Sequence, residues 1–301
     1  MSDVKNIWVI AETEAAVNEL VSAARSYTDD VTLVYGGPAD EAKGATLAYC
    51  IDCASQSFVQ SSKVIASLIK EARPSLVFVQ ASVNGRLIAA SIAAELEVAA
   101  LTDPIEFSIE GNAVVCTRMM HGGVAIKTEK ASLGSAIVIT GSGLFEQTEL
   151  SASKEMRALS SDKDDITFIS RRPSGVSSVD LSASKNIVGV GRGLGSAEAL
   201  TLVREFANRI GGEIGCTRPV AEENKWMPKE TYIGVSGKML KPSLYVGIGL
   251  SGQIQHMIGV NKANTVFAIN KDKNAPIFKQ CDYGLVGDFN VVLPKLIEKL
   301  G

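Results

Sequence analysis

Residues Tyr245–Asn270 read YVGIGLSGQIQHMIGVNKANTVFAIN, and this stretch decides the fold. Leu244 to Ile248 is a short apolar run of strand character. Gly249, Ser251 and Gly252 interrupt it. Ile254, Met257 and Ile258 then return at a spacing that predicts one or two helical turns. Thr265 to Ile269, rich in β-branched and aromatic residues, predicts a second strand ending at Asn270. The order is strand, glycine-rich turn, helix start, strand. Such a turn presents backbone N–H groups and the positive end of a helix dipole to an anion, usually a phosphate. Gly249 and Gly252 let the backbone approach the ligand closely. His256, one turn into the helix, can reach the same ligand. Taken alone, the pattern predicts a nucleotide or phosphate site.

The same alternation extends upstream. Asn186 to Val190 predicts a strand that runs into Gly191, Arg192, Gly193, Leu194, Gly195 and Ser196. These glycines miss the dinucleotide spacing G-x-G-x-x-G: counted from Gly189 the third glycine would fall on Leu194, and from Gly191 on Ser196. Ser196 reads as an N-cap, and Ala199, Val203, Phe206, Ala207 and Ile210 as the buried face of the helix it starts. Gly211 and Gly212 end that helix. Glu213 to Thr217 predicts the next strand, followed by Arg218 and by Pro219, which biases Arg218 towards extended backbone. Leu293, Leu296, Ile297 and Leu300 mark a C-terminal helix. Arg192, Arg218, Ser236, Ser251, Asn270 and Asp288 all fall just past the C-terminal ends of predicted strands, the edge at which open α/β sheets bind ligands.

The N-terminal half repeats the architecture. Asn6 to Ala11, Val31 to Tyr35, Thr46 to Ile51 and Leu76 to Val79 predict strands, with helices marked by Ala16 to Ala24 and Ile65 to Ala72. Leu87 to Leu96 is apolar nearly all round and predicts a helix buried on two sides. Ile105 to Ile109, Ala113 to Met119 and Val124 to Thr128, separated by Gly-Asn and Gly-Gly turns, read as an antiparallel extension, and Ala136 to Thr140 as a closing strand. Gly141 and Gly143 read as loop glycines. Ser170 to Lys185 is Ser-rich and poor in large apolar residues, so it reads as a linker, with Arg171 and Arg172 solvated within it. The fold class is therefore α/β: two domains, each a mostly parallel sheet flanked by helices. The domains span 1–184, with a linker at about 170–184, and 185–301.

Composition excludes several classes. The 301 residues carry a formal net charge of -3, so there is no basic surplus for nucleic acid. No run of apolar residues is long enough to span a membrane. The N-terminal MSDVKN resembles neither a signal peptide nor a transit peptide, which points to a cytoplasmic, bacterial setting. Five cysteines, an odd number in a long chain, fit a reducing compartment. Cys50 and Cys53 form a C-x-x-C pair without a partner pair, and the two histidines, His121 and His256, have no ligand spacing to Cys or to each other. The cysteines read as ordinary thiols and no metal is expected. No Ser-His-Asp arrangement and no acid–base pair stands out, so no catalytic residue is assigned.

The Leu244–Asn270 stretch, continued through Lys271-Asp272, Ala275 to Phe278 and Asp282 to Gly284, resembles the signature of the electron-transfer flavoprotein alpha subunit, including its FixB-type branch. The resemblance implies a Rossmann-like C-terminal domain that binds FAD, and a heterodimer with the beta subunit. It implies that Arg192 holds the phosphate end of the cofactor. Thr217 stands where the family usually has serine, and Arg218 matches the arginine packed against the isoalloxazine ring. Ile233, Gly234, Val235 and Ser236 match the segment along the ring, with Ser236 where many members have threonine. Ser251, Gly252, Gln253, Ile254, Gln255 and His256 match the loop at the diphosphate, with the histidine near the pyrimidine edge. Asn270 and Asp288 match the ribose and adenine side. The family's glutamine in Gly-Gln-Thr-Gly is absent here, replaced within Gly234-Val235-Ser236-Gly237. The implied role is an electron carrier, not an enzyme with its own substrate, working with acyl-CoA dehydrogenases or reductases. A subunit of an NADH-oxidising, electron-bifurcating complex carries the same motifs. The failed glycine spacing argues against an NAD-dependent oxidoreductase.

Overall fold

The segments Ile7–Ala11 (β1) and Val31–Tyr35 (β2) are apolar at almost every position because they are covered on both faces, and every residue in them is buried. They belong to a computed structural model of the chain that describes residues 4–54, 56–160, 166–170, 181 and 184–301. The chain forms two compact units, residues 1–171 and 172–301. The first contains α1 (Glu14–Arg25), β3 (Leu47–Cys50), α2 (Ser62–Ala72), β4 (Leu76–Gln80), α3 (Val83–Leu96), β5 (Ala100–Thr102), β6 (Glu106–Glu110), β7 (Ala113–Met120), β8 (Ala125–Ser132), β9 (Ala136–Thr140) and β10 (Glu155–Ala158). Seven of its strands make a parallel sheet in the order β10-β3-β2-β1-β4-β9-β5. The remaining three, β6-β7-β8, are antiparallel, as the Gly-Asn and Gly-Gly turns predict.

Several details correct the sequence reading. Helix α3 is buried along one face only, around Ile88, Ala89 and Ile92, while Val83 and Leu87 are exposed. An apolar helix surface is here a weak guide to burial because much of the outer face is small alanine. Strands β5 and β10 escape the apolar pattern because they lie at the two sheet edges, and all four residues of β10 are exposed. The loop at Gly143 has a function in the fold: its N–H and those of Leu144 and Phe145 donate to the buried Glu19 carboxylate at 2.9, 2.9 and 3.1 Å. Most of the expected linker, Arg171 and Arg172 included, lies outside the described residues. Leu181, assigned to it from sequence, is instead buried in the core of the second unit.

The second unit contains β11 (Asn186–Val190), α4 (Leu200–Arg209), β12 (Glu213–Cys216), α5 (Arg218–Glu222), β13 (Leu244–Ile248), α6 (Ile254–Met257), β14 (Thr265–Asn270), β15 (Tyr283–Val286) and α7 (Phe289–Leu300). Its five strands are all parallel in the order β12-β11-β13-β14-β15. A row of small residues crosses the whole sheet in register: Gly215, Gly189, Gly247, Ala268 and Gly284. The space they leave is filled from one side. Ile233 lies over Gly215, Tyr245 over Gly189, Ile277 over Gly247 and Phe278 over Gly284. A methyl group at Gly189 would sit 1.8 Å from the Tyr245 hydroxyl. That face therefore carries a thin layer of loops packed tightly on the sheet, and the other face carries α4 and α7 through Val203, Phe206, Leu293 and Ile297.

Ser196 does not cap α4. The helix starts at Leu200, behind Ala199 and without a side-chain cap, after a turn closed by Leu200 N to Ala197 O. The Ser196 hydroxyl bonds the Glu198 carboxyl instead and holds it below the usual carboxylate range.

Candidate functional site

Strand order in the second unit reverses between β11 and β13, since β12 lies on one side of β11 and β13 on the other. Two glycine loops leave the C-terminal ends of these strands and meet there. Gly193 N donates to Gly249 O at 2.8 Å, and Gly191 N to Ile248 O at 3.1 Å. A Cβ at Gly191 or Gly193 would lie 2.4 or 2.5 Å from the Gly249 carbonyl oxygen, so only glycine permits this approach. A cleft of about 730 Å³ opens at this point, within the size range of ligand sites. A smaller pocket of about 140 Å³ shares Gly193 and Gly249 with it.

The sequence-predicted residues divide between the two. Arg192, Thr217, Arg218, Ile233, Gly234, Val235, Ser236, Ser251, Gly252, Gln253, Gln255 and His256 line the larger cleft. Asn270 and Asp288 line the smaller pocket. Ile254 lines neither and is 52% exposed. Five of the six edge residues follow or end strands as expected. Ser236 does not: it sits in a turn between isolated bridges, closed by Gly237 N to Gly234 O, because no continuous strand precedes it.

The donors in the cleft are largely uncommitted. Among the described residues, the side chains of Thr217, Ser236, Ser251, Gln253 and Gln255 make no internal hydrogen bond, and neither do the backbone N–H groups of Ser251, Gly252 and Gln253. These amides replace the helix dipole expected from sequence. Helix α6 has only four residues, Ile254–Met257, before it tightens into a 3-10 turn at Ile258–Val260. A Cβ at Gly259 would touch Gly234 N at 2.5 Å, so the wall of the cleft packs against that turn. The macrodipole of so short a helix is small; the free amides carry the anion-binding capacity.

The charged groups are paired. Arg218 Nε lies 2.6 Å from Glu222 Oε2, and Arg192 Nη1 lies 3.4 Å from Glu223 Oε2. Consecutive carboxylates at the end of α5 thus hold both arginines at the cleft rim. Arg218 is also the first residue of α5, and the extended backbone falls one residue earlier, at Thr217 (φ -77°, ψ 153°). Pro219 is accommodated in the first turn of the helix, where its missing N–H costs nothing.

His256 is buried, and its two ring nitrogens contact Tyr245 Oη at 2.6 Å and Ile233 O at 3.1 Å. Burial pulls its pKa down to about 4, only partly opposed by the Ile233 carbonyl, so the imidazole is neutral at pH 7. This removes it as a source of positive charge. In the smaller pocket the polar groups are committed: Asn270 Nδ2 donates to Leu250 O at 2.9 Å, and Asp288 Oδ1 caps α7 by accepting from Asn290 N at 2.9 Å.

Sequence reasoning missed Tyr232, Leu250 and Pro219 in the cleft, Lys271, Phe289 and Asn290 in the smaller pocket, and Tyr245 beneath His256. The signal for Tyr245 was the glycine at 189, which leaves room for its ring. Cys50 and Cys53 are both half-buried, and burial raises the Cys50 pKa, which makes it a poor nucleophile. No cluster of metal-ligating side chains and no helix long and apolar enough to cross a membrane occurs among the described residues.

Comparison with known proteins gives two matches along the chain. Residues 7–164 match the family profile described as electron transfer flavoprotein domain, and residues 180–261 match the electron transfer flavoprotein FAD-binding domain. Among curated proteins, the chain is 37% identical to YdiR of Escherichia coli (strain K12), named for an electron transfer flavoprotein subunit. It is 35% identical to the protein FixB of Escherichia coli O139:H28 and to FixB of Salmonella typhimurium. Each alignment covers 100% of this chain and 99% of the relative.

Proposed function

Since the chain belongs to the electron transfer flavoprotein family, as its FAD-binding alpha subunit, we propose that the switch-point cleft of the second unit is where FAD sits and that the chain passes single electrons between acyl-CoA dehydrogenases or reductases and a second redox partner. The observation that supports this most is the set of uncommitted donors along Ser251–Gln255 and at Thr217 and Ser236, gathered around a glycine-built floor. Those residues fit the cofactor. Ser251, Gly252 and Gln253 offer free amides to a diphosphate, and the Gly191, Gly193 and Gly249 backbones leave it room. Asn270 and Asp288, in the adjoining pocket, shape the ribose and adenine side by fixing the Leu250 carbonyl and the start of α7.

When bound, the flavin supplies the redox chemistry, and the protein binds, orients and tunes it. Arg218 places positive charge at the rim, which favours a more reduced cofactor. Glu222 partly cancels that charge and fixes where the guanidinium lies. His256, uncharged, adds a buried imidazole to the wall. None of these groups is arranged to attack or deprotonate an organic substrate, which supports a carrier role without turnover of the chain's own. The first unit serves in this reading as a platform for the beta subunit, in a cytoplasmic heterodimer.

The test is anaerobic reduction of the co-purified heterodimer. An acyl-CoA dehydrogenase with its acyl-CoA should bleach the flavin spectrum, while NADH alone should not. Bleaching by NADH, with more than one flavin per complex, would favour the bifurcating alternative.

A further inference from the structure

Tyr245 and His256 form a buried pair whose consequence reaches the cleft wall. Tyr245, on β13, is fully buried, and its hydroxyl lies 2.6 Å from His256 Nε2. His256 Nδ1 lies 3.1 Å from the Ile233 carbonyl oxygen. A carbonyl can only accept, so Nδ1 carries the proton, and Nε2 of the neutral ring accepts from the Tyr245 O–H. Both nitrogens are then used inside the protein, although His256 lines the cleft. The titratable groups facing the pair are few. Tyr245 comes from β13 and Cys216 from β12, whose thiol burial pushes up to about 11; no charged side chain among the described residues acts on His256.

The bonds continue into the wall. Ile233 is followed by Gly234, whose N–H bonds Lys238 O, and by Val235, whose N–H bonds Gln255 O at 2.8 Å. The Tyr245 ring reaches this position because β11 has glycine at 189 beneath it. We propose that Tyr245 is a positioning residue for the cofactor cleft: its hydroxyl locks His256 in the neutral Nδ1–H form, and His256 in turn pins the Ile233 carbonyl and the Ile233–Ser236 wall. The cleft therefore meets an uncharged imidazole with no nitrogen free to take a proton. This rests on the assignment of the cleft to FAD.

The chain has only two histidines, so ¹⁵N-histidine labelling of the full chain with its beta subunit gives two ring spectra from this subunit when the partner is left unlabelled. His121, exposed and remote in sequence, is the internal reference. In wild type, His256 should show a protonated Nδ1 and an acceptor Nε2, unchanged between about pH 8 and pH 5.5. Tyr245→Phe deletes only the hydroxyl. It should mix the tautomers or raise the proton affinity of His256 at least tenfold, and the potential of bound FAD should gain a pH-dependent step at the same midpoint. Gly189→Ala, whose methyl would lie 1.8 Å from the hydroxyl, should produce the same spectral change with tyrosine still present. A wild-type ring protonated at Nε2, or one titrating like an exposed histidine, overturns the proposal without any variant. So does a Tyr245→Phe spectrum identical to wild type. A lock that is missing while FAD is bound overturns this proposal alone. A lock that is present in a complex taking up no FAD supports it and overturns the site assignment instead.

Discussion

Acid should weaken the second unit through one residue. The unfolded chain takes a proton on His256 as pH falls through 6.5, while the folded chain refuses it until about 4. A depressed pKa on a base means that the unfolded state binds more protons across this window, so stability is present above 6.5 and is lost as pH falls towards 4. Between pH 7.5 and 5.5 the loss comes to about 1.3 kcal/mol, close to tenfold in the folding equilibrium. The Glu129 and Glu198 carboxyls, held below their usual range, lose their contribution only below that window. The assay is urea unfolding of the flavin-free chain in a Trp8→Phe background, where Trp226, packed against the second core, is the remaining tryptophan. His256→Gln keeps a donor and an acceptor but cannot titrate here, so it should lose the pH term. Parallel pH profiles for the wild-type and His256→Gln chains would show that the imidazole is not held neutral by burial.

Replacing Gly193 by Ala puts a methyl 2.5 Å from Gly249 O, and it should weaken FAD uptake at least tenfold in equilibrium dialysis; unchanged uptake would separate the loop contact from binding. Arg218→Ala should lower the first one-electron potential of bound FAD and Glu222→Gln should raise it, because the two charges oppose each other. A full unit charge at about 4 Å with an effective dielectric of about 20 sets a ceiling of roughly 170 mV. Since the Arg218 side chain is 61% exposed and paired, shifts of a few tens of mV are expected in spectroelectrochemistry, and shifts of the same sign in both variants would remove the pair from this role. Gly189→Ala should also destabilise the second unit by about 1–3 kcal/mol, since the Tyr245 ring has nowhere to move in a packed core; a Trp226 unfolding midpoint equal to wild type would contradict that.

Much of this was legible in the sequence, for physical reasons. Central strands such as β1, β11 and β13 are apolar runs because both faces are covered, and the loops after β11 and β13 announce themselves by glycine. What was not legible depends on tertiary partners. Strands β10 and β15 are held by ladder bonds at sheet edges and need no apolar pattern. Ser196 has the chemistry of a cap, yet Glu198 takes its hydroxyl. The state of His256 is set by Tyr245 and Ile233, one on the underlying strand and one in a distant turn, and no spacing rule relates them. The arginines at 192 and 218 were visible as cations at the sheet edge, but their neutralisation by Glu223 and Glu222 appears only once α5 is folded.

The most direct test of the central claim is the flavin content of the purified heterodimer, with and without a bulky side chain in the cleft. Ser251 is exposed in the cleft and its hydroxyl makes no hydrogen bond within the chain, so Ser251→Trp should fill the site and leave the sheet in place. The wild-type complex should carry stoichiometric, acid-extractable FAD, and the Ser251→Trp complex should sediment as the same heterodimer with little or no flavin. A Ser251→Trp heterodimer carrying the wild-type amount of FAD would place the cofactor somewhere other than this cleft.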